Sequence, residues 1–478
     1  MSQDNHNGTE PRNGTSKNSE PARDAAGYIS TQVQPERVII SQLVLDGNKS
    51  STRNTPFESE ATEEESLDEL AGLCEAANAV VVGSITQRRD KPHAATLFGK
   101  GKVEEIGELC REHEADVLVV DHELTPAQGR NLENALKVRV VDRTELILDI
   151  FARRAQTRQA KLQVELAQLR YQLPRLKRMW THLERTGGGI GTRGPGETQL
   201  ETDRRLAGER IAYLQKQLDE IRKQKQTESV GRADFQTGAL VGYTNVGKSA
   251  LLNALSRPTG KGVLVANQLF ATLGASTRRV ELGQGRDVLL SDTVGFVRRL
   301  PHNLVECFHS TLAEVEAAEF LLLVANAADP ELDDKMRAVR GVLNDELNVA
   351  ETPQIVVLNQ SDRLSHEDRA ALLLQHRDAV FTSALTGEGL DELRARILQV
   401  LEAGDREISL TLDASDEQTG KLLADIARHG RVLEESWSAN SGSQPQVHVR
   451  AKLAPRWCEK LGISDKLSIG TKESVAVG

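Results

Sequence analysis

The stretch that most restricts the fold of this chain is "GALVGYTNVGKSALLNAL". Gly242, Tyr243, Thr244, Asn245, Val246, Gly247, Lys248 and Ser249 fit the pattern G-x-x-x-x-G-K-S. The pattern follows an apolar strand and opens an apolar-periodic helix, the context that marks a phosphate-binding loop. Backbone N–H groups from Asn245 to Lys248 are expected to point into the loop and meet phosphate oxygens at a helix N-terminus. Lys248 would place its charge on the β- and γ-phosphates, and Ser249 its hydroxyl on Mg2+. Such a loop needs a strand behind it and a helix after it, which predicts an α/β domain with a parallel-type sheet.

Four further stretches lie downstream of the loop. In "VLLSDTVGF", Asp292 ends a strand and can hold Mg2+ through water, while the Gly295 N–H can sense a γ-phosphate. In "LFATLGAST", Thr272 is the candidate switch threonine that reaches Mg2+ when the γ-phosphate is present, with Thr277 the alternative. In "IVVLNQSD", a strand delivers Asn359, Gln360 and Asp362. Asp362 can accept from guanine N1–H and N2–H2, whereas adenine would leave its carboxylate unpaired, a mismatch that can cost factors of about 10⁴. In "FTSALTGEGL", Ser383 and Ala384 follow a strand, which places the Ala384 N–H near guanine O6. Together they specify a guanine-nucleotide domain that takes GTP to GDP with Mg2+. An ATP-specific enzyme would leave the last two motifs unexplained. Phe296 follows Gly295 where Ras-like enzymes place a water-orienting glutamine, so intrinsic hydrolysis is expected to be slow. Arg298 and Arg299 read as ordinary switch-region charges.

At 478 residues the chain is too long for one core, and length suggests roughly three domains. Residues 1–36 are polar and expected to be disordered. Strands alternating with helices over 37–156 predict a small α/β domain, 234–402 holds the nucleotide motifs, and 403–478 reads as a small α+β domain in the order β-α-β-β. Trp437 reads as core in that last piece, and Trp457 is unassigned. The net charge of −10 argues against a uniformly basic nucleic-acid binder, and no DNA partner is expected. No apolar run is long enough to span a membrane and no signal-peptide pattern is visible, so a cytoplasmic protein, monomeric when free, is expected. Cys74, Cys110, Cys307 and Cys458 lie far apart and read as reduced thiols. His122, His302 and His309 lack metal-spaced partners.

Between these domains, residues 157–228 carry a heptad seam: Leu162, Leu166, Leu169, Leu173, Leu176, Trp180 and Leu183, then Ala207, Ile211, Leu214, Leu218 and Ile221. The spacing predicts an antiparallel helical hairpin, with Pro174 a candidate kink; two helices packed on separate domains is the alternative. "GGGIGTRGPG", from Gly187 to Gly196, would be its tip, either a hinge or a loop that lies close against something large. Lys and Arg outnumber Asp and Glu here, with Arg175, Arg205 and Arg210 among them. This is either a solvated face or the footprint of a polyanion partner.

With "GGGIGTRGPGETQLETDRR" beside "GYTNVGKSALLNAL", "LFATL" and "DTVGFVRRLPHNLVECFHSTL", the chain resembles the HflX family of translation-associated GTPases. "LTPAQGRNLE" and "VVDRTELILDIFARRAQTRQAKLQVELAQLRYQLPRL" extend the resemblance towards the N-terminus. It implies a partner in the large ribosomal subunit and its rRNA, and a role in subunit dissociation or rescue of stalled ribosomes, often under stress. It implies that Arg185, Gly188, Gly189, Gly191, Arg193 and Gly194 contact RNA, with glycines allowing close approach and arginines neutralising phosphate. It also implies ATP binding at the N-terminal domain, where "FGKGK" around Lys100 could touch a second nucleotide; a basic turn is the plainer reading. The family has lysine where this chain has Gln360, and Asp-Pro where it has Gly274 and Ala275. Val246 and Ala250 are further departures. A GTP-gated RNA-binding or scaffold protein with a non-ribosomal partner is the alternative function.

Overall fold

The computed structural model describes residues 35–45, 63–176, 195–229, 235–256, 276–283, 286–298, 313–345, 347, 349–438 and 445–463. The first sheet is built from β1 (Arg37–Leu45), β2 (Val80–Arg89), β3 (Val117–Val120) and β4 (Arg139–Asp142). All pairs are parallel, in the order β2-β1-β3-β4. Parallel strands need crossovers, which α1 (Glu63–Ala76), α2 (Lys100–Glu112) and α3 (Pro126–Leu136) supply, and α4 (Arg143–Arg154) follows β4. Thr125 and Gln128 close a capping box at the start of α3, and the Asp142 carboxylate accepts from Glu145 N at the start of α4. Successive strand residues face opposite sides. Ile39 and Leu118 therefore join Ile106 and Leu132 in one core, while Ile40 and Val119 join Leu70, Leu73 and Ile147 in the other.

The second of these cores continues into two long helices, α5 (Arg158–Leu176) and α6 (Pro195–Ser229). They run antiparallel: Arg158 reaches Gln217 at 2.7 Å and Arg210 reaches Glu165 at 2.7 Å. Val164, Leu166 and Leu214 are buried along the seam, with Leu162, Leu169, Ile211 and Leu218 packed beside them. Helix α5 continues through Pro174, and Gly196, expected in the tip loop, lies inside α6. Part of the expected basic surface is committed internally. Arg175 binds Asp142 and the Leu124 carbonyl, while Arg205 pairs with Glu209 and Arg210 with Glu165. Arg185, Gly188, Gly189, Gly191, Arg193 and Gly194 lie outside the described residues, as do the first 34 residues.

The central sheet has six strands, β5 (Gln236–Val241), β6 (Ser276–Gly283), β7 (Arg286–Asp292), β8 (Phe320–Asn326), β9 (Gln354–Asn359) and β10 (Val380–Phe381). Their order is β10-β9-β8-β5-β7-β6, parallel except for β6 against β7. Helices α7 (Lys248–Leu255), α8 (Leu332–Asp345), α9 (His366–Gln375) and α10 (Leu390–Ala403) flank it.

The last unit comprises β11 (Arg406–Asp413), α11 (Glu417–His429), β12 (Gly430–Ser438), β13 (Gln446–Leu453) and α12 (Pro455–Lys460). Its antiparallel sheet has the order β11-β13-β12. Trp437 is not core: it sits on the outer half of the edge strand β12 and is 63% exposed. Trp457 is buried instead, stacked on His429 with ring centroids 3.6 Å apart. Cys74, Cys110 and Cys458 are free and buried. No described helix is long and apolar enough to cross a membrane, and no metal-holding His, Cys, Asp and Glu group occurs among the described residues.

Leu214 is fully buried and Leu206, two turns earlier on α6, is 52% exposed. Leu214→Ala is expected to destabilise the hairpin by about 2–5 kcal/mol and Leu206→Ala by less than about 0.5 kcal/mol. Amide exchange of α5 and α6 reads the difference; equal effects would contradict the seam.

Candidate nucleotide site

The site gathers at the carboxyl ends of β5, β7, β9 and β10, the edge where open α/β sheets take their ligands. After β5 the chain curls through Asn245 in the left-handed region (φ 61°) and Gly247 (φ 88°) into α7. Gly247 must be glycine twice over: its φ is one that side chains rarely adopt, and a Cβ would strike Asn359 Nδ2. Lys248 is 6% exposed, and its ammonium donates to the carbonyls of Gly242 at 3.0 Å and Tyr243 at 2.7 Å. Burial lowers its pKa to about 8, against the opposing pull of Asp292.

Strand pairing sets the next contact. Leu240 on β5 lies beside Asp292 on β7, which brings Asp292 against the first turn of α7. There the Ser249 hydroxyl donates to Asp292 Oδ2 at 2.5 Å. A hydroxyl and a carboxylate meeting at one point are the hard oxygen donors that a small divalent cation takes. The chain after Asp292 then lies along the curled loop: Thr244 N donates to Phe296 O at 2.8 Å and Phe296 N to Gly242 O at 3.1 Å. Gly295 is clamped between them, so close that a Cβ would lie 2.8 Å from Thr244 Cα and 3.0 Å from Lys248 Nζ. The Phe296 side chain belongs to the core of the sheet.

On the opposite side, Asn359 ends β9 almost fully buried. Its Nδ2 donates to Val246 O at 2.8 Å, while Oδ1 accepts from Ala384 N at 3.2 Å and Thr382 Oγ1 at 3.3 Å. One side chain thus joins the curled loop to the loop after β10. Gln360 adopts the left-handed region (φ 63°), and its amide reaches Asn245 O at 3.4 Å. The glutamine thus spans the gap between this turn and the curled loop. Asp362 is exposed on the short turn Ser361–Arg363. Ser383 is buried, and its hydroxyl accepts from Thr386 N at 3.2 Å.

The structure thus assembles the residues read from the motifs, apart from Thr272, which lies outside the described residues. Thr277 sits on β6 with its hydroxyl on Ser291 at 2.8 Å and Glu314 at 3.3 Å. Lys100 is exposed at the start of α2, and Lys102 pairs with Glu105. Arg298 is not an ordinary switch-region charge: it is 5% exposed and pairs with Glu331. The Tyr243 hydroxyl, in the curled loop itself, donates to Glu69 of α1 at 2.6 Å. The sequence shows an aromatic residue inside the loop, but nothing local names a partner on another element.

Three family models match in chain order: a GTP-binding GTPase N-terminal model over residues 64–152, a GTP-binding GTPase middle-region model over 154–232, and a 50S ribosome-binding GTPase model over 237–360. The GTPase HflX of Caldanaerobacter subterraneus is 47% identical over 82% of this chain and 90% of its own length. That of Escherichia coli is 43% identical over 79% and 88%. A solved structure, of a GTP-binding protein called SsGBP in complex with GDP, matches with 26% identity over 76% of this chain and 98% of its own, at a TM-score of 0.43. By the matched models and the identity to these relatives, the chain belongs to the HflX family and is a GTPase.

Proposed function

We propose that this GTPase binds the large ribosomal subunit and its rRNA in the cytoplasm, and promotes subunit dissociation or rescue of stalled ribosomes. The observation that carries the reading is the match of residues 237–360 to a family model described as a ribosome-binding GTPase. The antiparallel pair α5–α6, which leads to the glycine-rich stretch and back, supports it as the element that would carry Arg185, Gly188, Gly189, Gly191, Arg193 and Gly194 to RNA. Co-sedimentation with purified large subunits tests it: binding is expected with a non-hydrolysable GTP analogue and weaker with GDP. Absence of binding in every nucleotide state would leave a GTP-gated protein with another partner.

In the mechanism we propose, amides from Asn245 to Lys248 hold the phosphates at the start of α7, and Lys248 sets its charge on the β- and γ-phosphates. Ser249 and Asp292, with Thr272, would hold Mg2+, which supplies positive charge to the β- and γ-oxygens when bound. Gly295 N–H meets the γ-phosphate. Asn359 ties the phosphate and base sides together, Asp362 reads the guanine edge, Ser383 holds the loop, and Ala384 lies near O6. Lys248→Ala is expected to abolish turnover and Ser249→Ala to weaken Mg2+-dependent GTP binding, both measured by nucleotide affinity and phosphate release. Asp362→Asn should shift preference from guanine to xanthine nucleotides in competition binding.

Burial lowers the Lys248 pKa to about 8 before phosphate binds, and phosphate oxygens favour the ammonium. Binding must then take up a proton wherever free Lys248 is neutral, so GTP affinity falls as pH rises through that value. The expected uptake is about three-quarters of a proton at about pH 8.5 and about a sixth at about pH 7.3. Calorimetry in buffers of different ionisation enthalpy reads it, and equal uptake at both would contradict the assignment.

The arginines assigned to RNA make a separate prediction. Removing Arg185 and Arg193 should leave GTP affinity intact and make the log–log salt dependence of subunit binding shallower by roughly one unit per arginine, by analogy with duplex data. An unchanged slope in filter binding would remove them from the RNA contact.

A further inference from the structure

The Tyr243 hydroxyl lies between two bodies of the protein. It donates to Glu69 Oε2 on α1 at 2.6 Å and accepts from the backbone N–H of Arg298 at 2.5 Å. Glu69 bonds through its other oxygen to Arg143 at the start of α4. Arg143 in turn holds Asp121 at 2.5 Å and donates to the Arg298 carbonyl at 3.1 Å. Arg298 is therefore held at its N–H by Tyr243, at its carbonyl by Arg143 and at its guanidinium by Glu331, which immediately precedes α8. Tyr243, Arg143, Arg298 and Asp121 are all buried. Burial first, and then the Glu69 charge and hydrogen bond, push the Tyr243 phenol well above its ordinary pKa, so the hydroxyl keeps its proton to donate.

The location is informative. Asp121 follows β3 at the carboxyl edge of the N-terminal sheet, with Ser66 on its other oxygen at 2.7 Å. Chain direction across that sheet reverses between β1 and β3, the point where doubly wound sheets open a ligand crevice. Here the polar groups of that edge meet the curled loop and Arg298. Three residues before Arg298 stands Gly295, clamped against Thr244 and Lys248. Val294 and Val297, on either side of Gly295, are buried in the core of α1, α4, α5 and α6.

We propose that Tyr243, held by Glu69, is a positioning residue for GTP hydrolysis: its hydroxyl fixes the backbone of Arg298 and so the placement of Gly295 beside Lys248. Residue Glu69, far from the nucleotide motifs in sequence, then sets part of the hydrolysis rate. The inference rests on the GTPase activity and not on the ribosomal reading, so failure of either leaves the other standing. If the tyrosine only filled space, its ring would suffice, and Tyr243→Phe would change neither rate nor switch dynamics.

The test uses the full chain with Tyr243→Phe, Glu69→Gln and the double variant. Single-turnover hydrolysis at saturating GTP is expected to fall about tenfold in each single variant, the scale of losing one hydrogen bond to a charged group. GDP affinity, read in Glu69→Gln because its side chain lies outside the nucleotide loop, is expected to change less than about twofold. The double variant should be no slower than the slower single one, as members of one unit act together. Amide exchange over 293–298 should quicken in all three. An unchanged or faster rate, GDP affinity falling in step with rate, or effects that multiply in the double variant would each overturn the proposal. Should Tyr243→Phe fold poorly, Glu69→Gln carries the test alone, since it leaves the nucleotide loop untouched.

Discussion

A parallel strand can be reached only by a crossover, so each parallel strand delivers its carboxyl end to the same edge of the sheet. The whole nucleotide site depends on that constraint. Leu240 and Asp292 are neighbours because β5 and β7 pair in parallel, and Asn326 and Asn359 because β8 and β9 do. Residues scattered over more than a hundred positions thereby converge without any long-range design beyond register. Asn359 then converts proximity into rigidity. Its buried amide joins two loops with three hydrogen bonds, and an apolar residue in its place would strand the Val246 carbonyl and the Ala384 N–H.

Much of this was legible in the sequence because local physics determines it. The glycines and lysine of the curled loop, the strand-ending Asp292 and the heptad leucines each carry their structural reason within a few residues. What stayed hidden was set by distant partners. Arg298 looks like any switch-region charge until Glu331 and Glu69 are seen around it. Arg175 counted toward a basic surface, yet Asp142 and a backbone carbonyl hold it and it stacks over Tyr171. Trp437 looked like core because tryptophan usually is; its fate depended on which strand formed the edge. Gln360 shows in the sequence only as a departure from the family's lysine, whereas its left-handed backbone and its reach to Asn245 depend on the folded loop.

The junction of Glu69, Asp121, Arg143 and Arg298 is an uncommon use of burial. Ionised groups out of water cost several kcal/mol each unless their partners are well placed, and an apolar cluster would often be as stable. Burial works against the charge of Arg143, and Glu69 and Asp121 outweigh it, keeping the guanidinium ionised. What charge supplies here is direction. A hydrophobic patch tolerates sliding, whereas a guanidinium shared between two carboxylates and a carbonyl accepts one arrangement. The apolar contacts of Val294 and Val297 add attraction to the same seam without specifying it.

Among the described residues, strand β12 leaves a row of backbone donors and acceptors along the outer side of the three-stranded sheet, the kind of open edge on which chains polymerise. Its sequence works against that outcome. The register slips between Val432 and Glu434, which bends the strand away from a straight template. Arg431, Glu434 and Glu435 are exposed along it. An antiparallel second copy centred on the same strand would set glutamates against glutamates, with like charges repelling at the spacing where ladder bonds form. The exposed Trp437 is thus carried on an edge whose charge pattern discourages self-assembly, and the C-terminal unit can present an aromatic side chain to solvent without nucleating fibres.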